Sequence, residues 1–322
     1  MINTAIIGNA EYSTGELIRL LLNHPDVQLQ WIYSSDNAGH PVTDIHHGLI
    51  GETDLRFTST VDYTDIDCIF CCTPHGTTRR FLAEHPVPED TRIIDLSDDH
   101  RIEDGTHDFV YGLPELNRKR IVRGARHVAN PGSFASAILP ALLPLAKNLL
   151  INSTVHATAI IGSTDEIKPG PTANYSWRND NVSIYKPFQH PHLTEIRRTL
   201  SQLQSSFNAP IEFIPMRGCF SRGILAALYL DCKISLEHLR ELYEDYYSDH
   251  NFTFVTDKTP DLKDVVNTNK CILHLDRIGD RLLVTSVIDN LLKGASGTAV
   301  HNLNLLFGLH ERVGLNLKPS AF

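Results

Sequence analysis

Residues 127–145, HVANPGSFASAILPALLPL, run from a short apolar segment through a turn at Asn130, Pro131 and Gly132 into a helix that begins at Ser133. The first N–H groups of a helix lack backbone partners and the helix dipole is positive there, so this position suits a nucleophile or a bound anion. The residue at this position is a serine. The sequence therefore raises the question of whether Ser133 carries chemistry or replaces a residue that did.

The segments before this turn alternate between strand and helix. The strand patterns are TAIIG, VQLQWIYS, DCIFCCT and RIIDLS, and the helical patterns between them include STGELIRLLLNH and GTTRRFLAEH. Strands that alternate with helices indicate a parallel sheet covered on both faces. We therefore predict an α/β domain of the Rossmann type, doubly wound, over residues 1–132.

The pattern changes after the helix of residues 133–149. Long strand candidates then follow one another with few intervening helices: TVHATAIIG, PIEFIPM, GILAALYLDCKI, CILHLDRI and DRLLVTSVI. Such runs predict an α+β second domain with a mostly antiparallel sheet, which we place at residues 133–295. A final helix is expected to dock on the first domain, which then also includes residues 296–322.

The composition is that of an ordinary globular chain, with 322 residues, 42% of them hydrophobic and 21% charged. The net charge of -9 disfavours nucleic acid as the main partner. The chain starts in a strand pattern without a signal peptide, and its longest apolar stretch, interrupted by Pro140 and Pro144, is shorter than the roughly 20 residues of a membrane span. We expect a cytoplasmic protein without membrane contact. Six cysteines, mostly in apolar runs, favour reduced core thiols.

The segment GNAEYSTGEL, residues 8–17, follows the first strand. Glycines at Gly8 and Gly15 let the backbone approach a pyrophosphate, and the helix that follows can hold its charge. The middle position, however, is Glu11, whose carboxylate adds bulk and like-charge repulsion. Taken alone, this segment is a weakened dinucleotide fingerprint.

Six longer motifs occur in order along the chain: DLSDDHR (95–101), YGLPELNR (111–118), ANPGS (129–133), HPHLTEI (190–196), RGILAALY (222–229) and IDNLLKGASGTAVHNLNLLFG (288–308). With them the chain resembles the N-acetyl-γ-glutamyl-phosphate reductase family of arginine biosynthesis, kin to aspartate-semialdehyde dehydrogenase. Some members use an N-succinyl substrate. The resemblance implies that a cysteine in an NPGC turn displaces phosphate from an acyl phosphate, and that hydride from NADPH reduces the thioester to a semialdehyde.

The resemblance also implies the site residues. Ser133 stands at the position of the family cysteine, and His190 and His192 are the other catalytic candidates. The candidates for NADP binding are Gly8, Ala10, Tyr12, Ser13, Ser34, Ser35 and Asn290. The candidates for substrate binding are Arg101, Arg178, Glu195 and Lys293. No metal is expected, because the histidine pairs lack a metal-binding pattern such as HExxH.

Several departures from the family pattern weaken both the chemistry and the cofactor site. The pKa of a free cysteine is about 8.5, whereas a serine hydroxyl ionises several units higher and needs an adjacent base. An oxygen ester on Ser133 would also accept hydride less readily than a thioester. Acidic residues stand on segments expected to face the anionic cofactor: Glu11, Asp36, and Asp165 with Glu166. Met216 replaces a histidine that many members carry.

Three functions stay open. We predict first a diverged homologue that has lost or severely weakened NADPH-dependent reduction and acts as a binding, regulatory or partner subunit. The alternative is an active reductase in which another group compensates. The second alternative is a transferase or hydrolase with Ser133 as nucleophile and His190 or His192 as base, although Ser133 could serve only as a helix N-cap. The family implies a homo-oligomer through the second domain's sheet, and a hetero-oligomer with an active paralogue is a further hypothesis.

Overall fold

The computed structural model divides into two compact units. The residues that it describes are 1–8, 11–165 and 175–319. Unit 1 comprises Met1–Pro131 and Ala295–Asn316, and unit 2 comprises Gly132–Gly294 with residues 317–319.

Unit 1 is built on a parallel sheet of seven strands. They are β1 (Ile2–Gly8), β2 (Val27–Tyr33), β3 (Phe57–Thr58), β4 (Cys68–Cys72), β5 (Arg92–Asp95), β6 (Val110–Tyr111) and β7 (His127–Ala129). Their spatial order is β3-β2-β1-β4-β5-β7-β6, and every pairing is parallel. The chain moves outward from β1 in one direction and then from β4 in the other, as in a doubly wound sheet. The Rossmann-type prediction is confirmed.

Four helices belong to unit 1: α1 (Tyr12–Leu22), α2 (Thr78–Glu84), α3 (Pro114–Val122) and α8 (Gly297–Leu306). Helix α1 buries Leu17, Ile18, Leu20 and Leu21, the apolar face that its sequence pattern predicts. Helix α8 packs against α1 and α3. Strands β3 and β6 escaped the sequence analysis because two residues are too few to show a periodicity.

Unit 2 has a second sheet of seven strands: β8 (Val155–Ile161), β9 (Ser183–Ile184), β10 (Ile211–Arg217), β11 (Ile224–Asp231), β12 (Thr253–Thr256), β13 (Cys271–Ile278) and β14 (Arg281–Ile288). Their order is β12-β13-β14-β11-β8-β10-β9. The β8–β10 and β12–β13 pairings are parallel and the other four are antiparallel. The sheet is therefore mixed but mostly antiparallel, which confirms the predicted class. The helices are α4 (Ser133–Lys147), α5 (Tyr175–Arg178), α6 (His192–Leu203) and α7 (Leu236–Tyr247).

Helix α4 contains Pro140 and Pro144, which interrupt the apolar run in the sequence but do not interrupt the helix. A proline inside a helix has no N–H for the carbonyl oxygen four residues earlier. Pro144 thus deprives the Pro140 carbonyl of its usual donor, and the Tyr247 hydroxyl donates to that oxygen at 2.6 Å. The Tyr243 hydroxyl donates to the Ala141 carbonyl. Helix α7 therefore supplies the donor that Pro144 cannot give to the Pro140 carbonyl, and adds a second hydrogen bond at Ala141.

The cysteines lie mostly in the interior, in line with the apolar runs that contain them. All six are free thiols, and five of them are buried, while Cys219 is exposed. In the part of the chain that the structure describes, no helix is long and apolar enough to cross a membrane.

Candidate active site

The glycine turn after β1 is closely packed. A Cβ atom on Gly8 would lie 2.7 Å from the Cβ and the carbonyl oxygen of Cys72, at the end of β4. A Cβ atom on Gly15, in α1, would lie 2.6 Å from the imidazole Nδ1 of His46. Both positions need glycine, so this turn keeps the close backbone packing of a dinucleotide site. Ala10 lies outside the described residues.

Glu11 is the N-cap residue of α1, and its side chain makes no capping hydrogen bond. Glu11 is exposed, and so is Tyr12, the first residue of the helix. The carbonyl oxygen of Ser13 accepts a hydrogen bond of 2.7 Å from the Ser296 hydroxyl, which ties the start of α8 to α1. Because water surrounds an exposed carboxylate, Glu11 repels an anion less than a buried charge would. These residues, with the two glycines, fit a bound dinucleotide.

Three predicted residues follow the end of β2, next to β1 in the sheet. Ser34 is buried, and its hydroxyl accepts a 2.9 Å hydrogen bond from the Asn37 amide, so it supports the loop itself. Ser35 and Asp36 are exposed, and the Ser35 hydroxyl donates to Asp36 Oδ1 at 3.2 Å. The carboxyl ends of parallel strands form the edge where doubly wound sheets bind their ligands. Ser35 and Asp36 are exposed near this edge, and their contact with a nucleotide stays a prediction.

Arg101, a predicted substrate residue, is buried in unit 1. Its Nε donates to the Asn130 carbonyl at 2.9 Å, and its Nη2 donates to the Leu96 carbonyl at 3.0 Å. The Asn130 N–H in turn donates to the Asp95 carbonyl at 2.7 Å. Two donors of the guanidinium thus hold the turn that follows β7, and the role of Arg101 in substrate binding stays a prediction.

In unit 2, helix α4 begins one residue earlier than an N-cap role for Ser133 requires. The N-cap residue is Gly132, which has an extended backbone, and Ser133 is the first helical residue. The alternative that Ser133 serves as the N-cap is therefore wrong. Ser133 is half-buried, at the position where helix N–H groups and the helix dipole favour negative charge.

Three predicted side chains meet beside Gly132. A Cβ atom on Gly132 would lie 2.5 Å from His192 Nε2 and 2.6 Å from Glu195 Oε1, and the Gly132 N–H donates to Glu195 Oε2 at 3.2 Å. His190 Nδ1 accepts a hydrogen bond of 3.2 Å from the His192 N–H, and the His190 ring packs edge-on against Phe134. The structure thus brings His190, His192 and Glu195 to the start of the helix that carries Ser133.

A hydrolase would need an imidazole hydrogen-bonded to the Ser133 hydroxyl. His190 Nδ1 accepts the His192 N–H at 3.2 Å, so this ring nitrogen is engaged within the loop itself. The second alternative, with Ser133 as nucleophile, stays a prediction.

Arg178 and Asn290 support the loop that follows β8. Arg178 Nη1 donates to the Ser163 carbonyl at 2.8 Å, and the Asn290 amide donates to Thr164 Oγ1 at 3.1 Å. The Gly223 N–H donates to Asn290 Oδ1 at 2.7 Å, so both ends of this buried amide are used. A role for Arg178 in substrate binding and for Asn290 in cofactor binding stays a prediction.

The charge of Asp165 is compensated within unit 2. Asp165 Oδ2 accepts hydrogen bonds from the Tyr185 hydroxyl at 3.0 Å and from Arg217 Nη2 at 3.2 Å. The Arg217 guanidinium also lies 3.8 Å from the centre of the Tyr185 ring. The adjacent cation offsets part of the negative charge of Asp165, and an effect of this residue on a bound cofactor stays a prediction. Glu166 lies outside the described residues.

Asp289, which was not among the predicted site residues, supports the backbone near Ser133. It is fully buried, and it accepts hydrogen bonds from the N–H groups of Asn267, Leu291 and Leu292 and from Arg222 Nη2. Asp289 thereby holds the start of the π-helical turn Leu292–Ser296, which contains the fully buried Lys293. A Cβ atom on Gly294, in this turn, would lie 3.1 Å from the Cβ of Ser133. The only feature of the sequence that points to Asp289 is its position next to Asn290, a predicted site residue.

No buried thiol replaces the family cysteine. Burial raises the pKa of Cys72 well above its usual value, and the Glu11 carboxylate raises it further. Burial also raises the pKa of Cys71. Neither side chain therefore supplies a thiolate near neutral pH. The described residues also contain no group of three His, Cys, Asp or Glu side chains that could hold a metal ion.

Comparison with known proteins gives the class first. Residues 3–123 match the family model of the semialdehyde dehydrogenase NAD binding domain, and residues 133–290 match that of the semialdehyde dehydrogenase dimerisation domain. The crystal structure of aspartate semialdehyde dehydrogenase II from Vibrio cholerae matches with a TM-score of 0.71 at 14% identity, covering 96% of this chain and 99% of that one. The structure of a probable aspartate-semialdehyde dehydrogenase from Pseudomonas aeruginosa matches with a TM-score of 0.71 at 17% identity, covering 95% of this chain and 98% of that one. The chain has a semialdehyde-dehydrogenase fold.

Relatives of higher identity narrow the class. The N-acetyl-gamma-glutamyl-phosphate reductase of Parabacteroides distasonis is 63% identical over 323 residues, and that of Bacteroides thetaiotaomicron is 58% identical, with 100% of both chains covered in each case. This chain belongs to the N-acetyl-γ-glutamyl-phosphate reductase family, which confirms the resemblance seen in the sequence. Membership of this family supports NADP as the nucleotide.

Proposed function

We propose that this chain is a nicotinamide-nucleotide-dependent reductase of an N-acetyl- or N-succinyl-γ-glutamyl phosphate, with Ser133 at the acyl-accepting position. The observation that carries the proposal is the placement of Ser133 as the first residue of α4, with His192 and Glu195 beside Gly132. The names of the full-length relatives favour this alternative over the predicted loss of activity, which stays a prediction.

The chemistry follows from the position of Ser133. Its Oγ attacks the acyl carbon of the substrate, the bond from that carbon to the phosphate oxygen breaks, and inorganic phosphate leaves. When bound, the reduced nucleotide supplies a hydride to the same carbon. The bond to Ser133 Oγ then breaks, the hydroxyl regains its proton, and the aldehyde departs. N–H groups at the start of α4 stabilise the negative charge that develops on the carbonyl oxygen.

Both steps are slower than with a cysteine. A serine hydroxyl is a weak nucleophile that needs an adjacent base. The oxygen ester is also less electrophilic than a thioester. The serine at the first position of α4 therefore favours a second candidate function, in which the chain binds the acyl amino acid phosphate or an analogue without reducing it and acts as a regulatory or partner subunit.

A homo-oligomer through unit 2 belongs to the same proposal. Helices α4, α6 and α7 pack on the sheet of unit 2. Along β11, fully buried residues alternate with the more accessible Leu225, Ala227 and Tyr229, so these three lie on the opposite face. An accessible face with apolar residues, in a unit that matches a dimerisation domain, supports pairing with a second copy. Pairing with an active paralogue has no such support.

Three proteins test the proposed function: the unaltered chain, Ser133→Cys and Ser133→Ala. The assay follows the absorbance of the reduced nucleotide at about 340 nm while the enzyme converts the N-acyl semialdehyde and phosphate to the acyl phosphate, the reverse of the proposed reaction. We expect slow turnover by the unaltered chain, none by Ser133→Ala, and turnover raised by about 100-fold or more in Ser133→Cys.

The same assay separates the two candidates. If the unaltered chain and Ser133→Ala are equally inactive while Ser133→Cys is active, the chain binds without reducing. If Ser133→Cys is also inactive, the serine is not what prevents catalysis and the reductase proposal fails.

A further inference from the structure

Asp36 stands at the place in unit 1 where a doubly wound sheet distinguishes its nucleotides. It follows the carboxyl end of β2, which pairs in parallel with β1, and β1 leads into the glycine turn. Asp36 is exposed, and its Oδ1 accepts a hydrogen bond from the Ser35 hydroxyl. The carboxylate is therefore anchored on one side while it stays accessible to a ligand.

The chemistry of the two nucleotides differs at one atom of the adenosine ribose. NAD carries a 2′-hydroxyl, which donates a hydrogen bond to the carboxylate of an acidic residue after the second strand. NADP carries a 2′-phosphate instead, which a nearby arginine accommodates. A carboxylate next to a doubly charged phosphate is repelled, and at contact distance in water this changes affinity by about tenfold or more.

The chain segment around Asp36 contains histidines but no lysine or arginine. No lysine or arginine occurs between Arg19 and Arg56. Arg56 Nη1 donates to the Gly39 carbonyl at 2.8 Å, and Arg19 pairs with Glu16 at 2.8 Å within α1. The loop that carries Asp36 therefore combines an accessible carboxylate with a chain segment that has no lysine or arginine before Arg56.

We propose that Asp36 makes this chain prefer NADH to NADPH, in contrast to the nucleotide that family membership supports. Asp36 accepts a hydrogen bond from a ribose hydroxyl of NADH and disfavours the 2′-phosphate of NADPH. The inference rests on the proposed function only in that unit 1 must bind a nicotinamide nucleotide.

The test is calorimetric titration of the full chain with NADH and with NADPH, which needs no turnover. We expect NADH to bind at least about tenfold more tightly than NADPH. Asp36→Ser should lower the ratio of the two affinities by about tenfold, because it weakens NADH binding and strengthens NADPH binding. Added salt should reduce the difference between the NADH and NADPH affinities of the unaltered chain, because salt screens the repulsion between exposed charges.

Asp54→Ser is the matched control. Asp54 is also exposed and lies in the same unit, before β3, so its substitution removes the same charge at a position that does not directly follow β2. The affinity ratio should not change in this variant. If Asp54→Ser and Asp36→Ser shift the ratio equally, the effect comes from net charge and the inference is wrong.

The remaining outcomes separate the inference from the proposed function. If NADPH binds more tightly than NADH in the unaltered chain, Asp36 does not set the preference, while the reductase proposal stands. If neither nucleotide binds to the unaltered chain, both the inference and the reductase proposal are overturned.

Discussion

The hydrogen bond from the Tyr247 hydroxyl to the Pro140 carbonyl gives a prediction about the helix that carries Ser133. Tyr247→Phe removes the donor, and Pro144 cannot replace it because a proline has no N–H. The Pro140 carbonyl lies in a buried stretch of α4 and loses this partner. We therefore expect the substitution to destabilise unit 2 and not merely to remove a surface contact.

The magnitude follows from the burial of both groups. A buried acceptor deprived of its donor costs about 1–3 kcal/mol. For a unit of this size, each kcal/mol lowers the melting temperature by about 2–4 °C. Tyr175→Phe is the matched control, because the Tyr175 side chain is 79% exposed in the same unit, and it should change the free energy of unfolding by less than about 0.5 kcal/mol.

The assay is urea unfolding followed by circular dichroism, applied to a double-mutant cycle. Pro144→Ala restores a backbone N–H that can donate to the Pro140 carbonyl. In that background Tyr247→Phe should therefore cost at least about 1 kcal/mol less than in the unaltered chain. An equal cost in both backgrounds would refute the reasoning, since the hydroxyl would then not be compensating for the proline.

Two further predictions concern His46 and Gly132. Burial lowers the pKa of His46 below its usual value of 6.5. The unfolded chain therefore binds a proton at His46 at a higher pH than the folded chain does. The stability that is present above pH 6.5 is lost as the pH falls through the lowered pKa. His46→Gln should flatten this slope in urea unfolding between about pH 5 and 7, whereas His47→Gln, an exposed control, should leave it unchanged. Gly132→Ala would place a Cβ atom 2.5 Å from His192 Nε2, and we expect a loss of about 1–3 kcal/mol in the free energy of unfolding. Gly48→Ala, which has no atom within 4 Å of the new Cβ, should cost less than about 1 kcal/mol, and a similar loss at both positions would contradict the crowding argument.

The candidate site shows how far sequence reasoning reaches. The HPHLTEI motif predicts His190, His192 and Glu195 as site residues, and the structure brings all three to the start of α4. The N-cap alternative for Ser133 is wrong by one residue, because the boundary of a helix depends on backbone angles that composition does not specify.

The charge of Asp165 shows what sequence reasoning could not reach. Asp165 looks like an added repulsion in the sequence, but Arg217, 52 residues away, offsets it. Asp289 was missed for the same reason, since its partner Arg222 lies 67 residues earlier in the chain. Neither pair leaves a periodic signal.

The sequence by itself determined the alternation of strands and helices in unit 1, the mostly antiparallel sheet of unit 2 and the family of the chain. These follow from the spacing of apolar residues and from contiguous motifs, which are local properties of a chain. Only the tertiary structure decided which charges are compensated and which side chain donates to the Pro140 carbonyl in α4. That donor is the Tyr247 hydroxyl, 107 residues away in the chain. The energy of such contacts depends on burial and distance between side chains that the fold alone brings together.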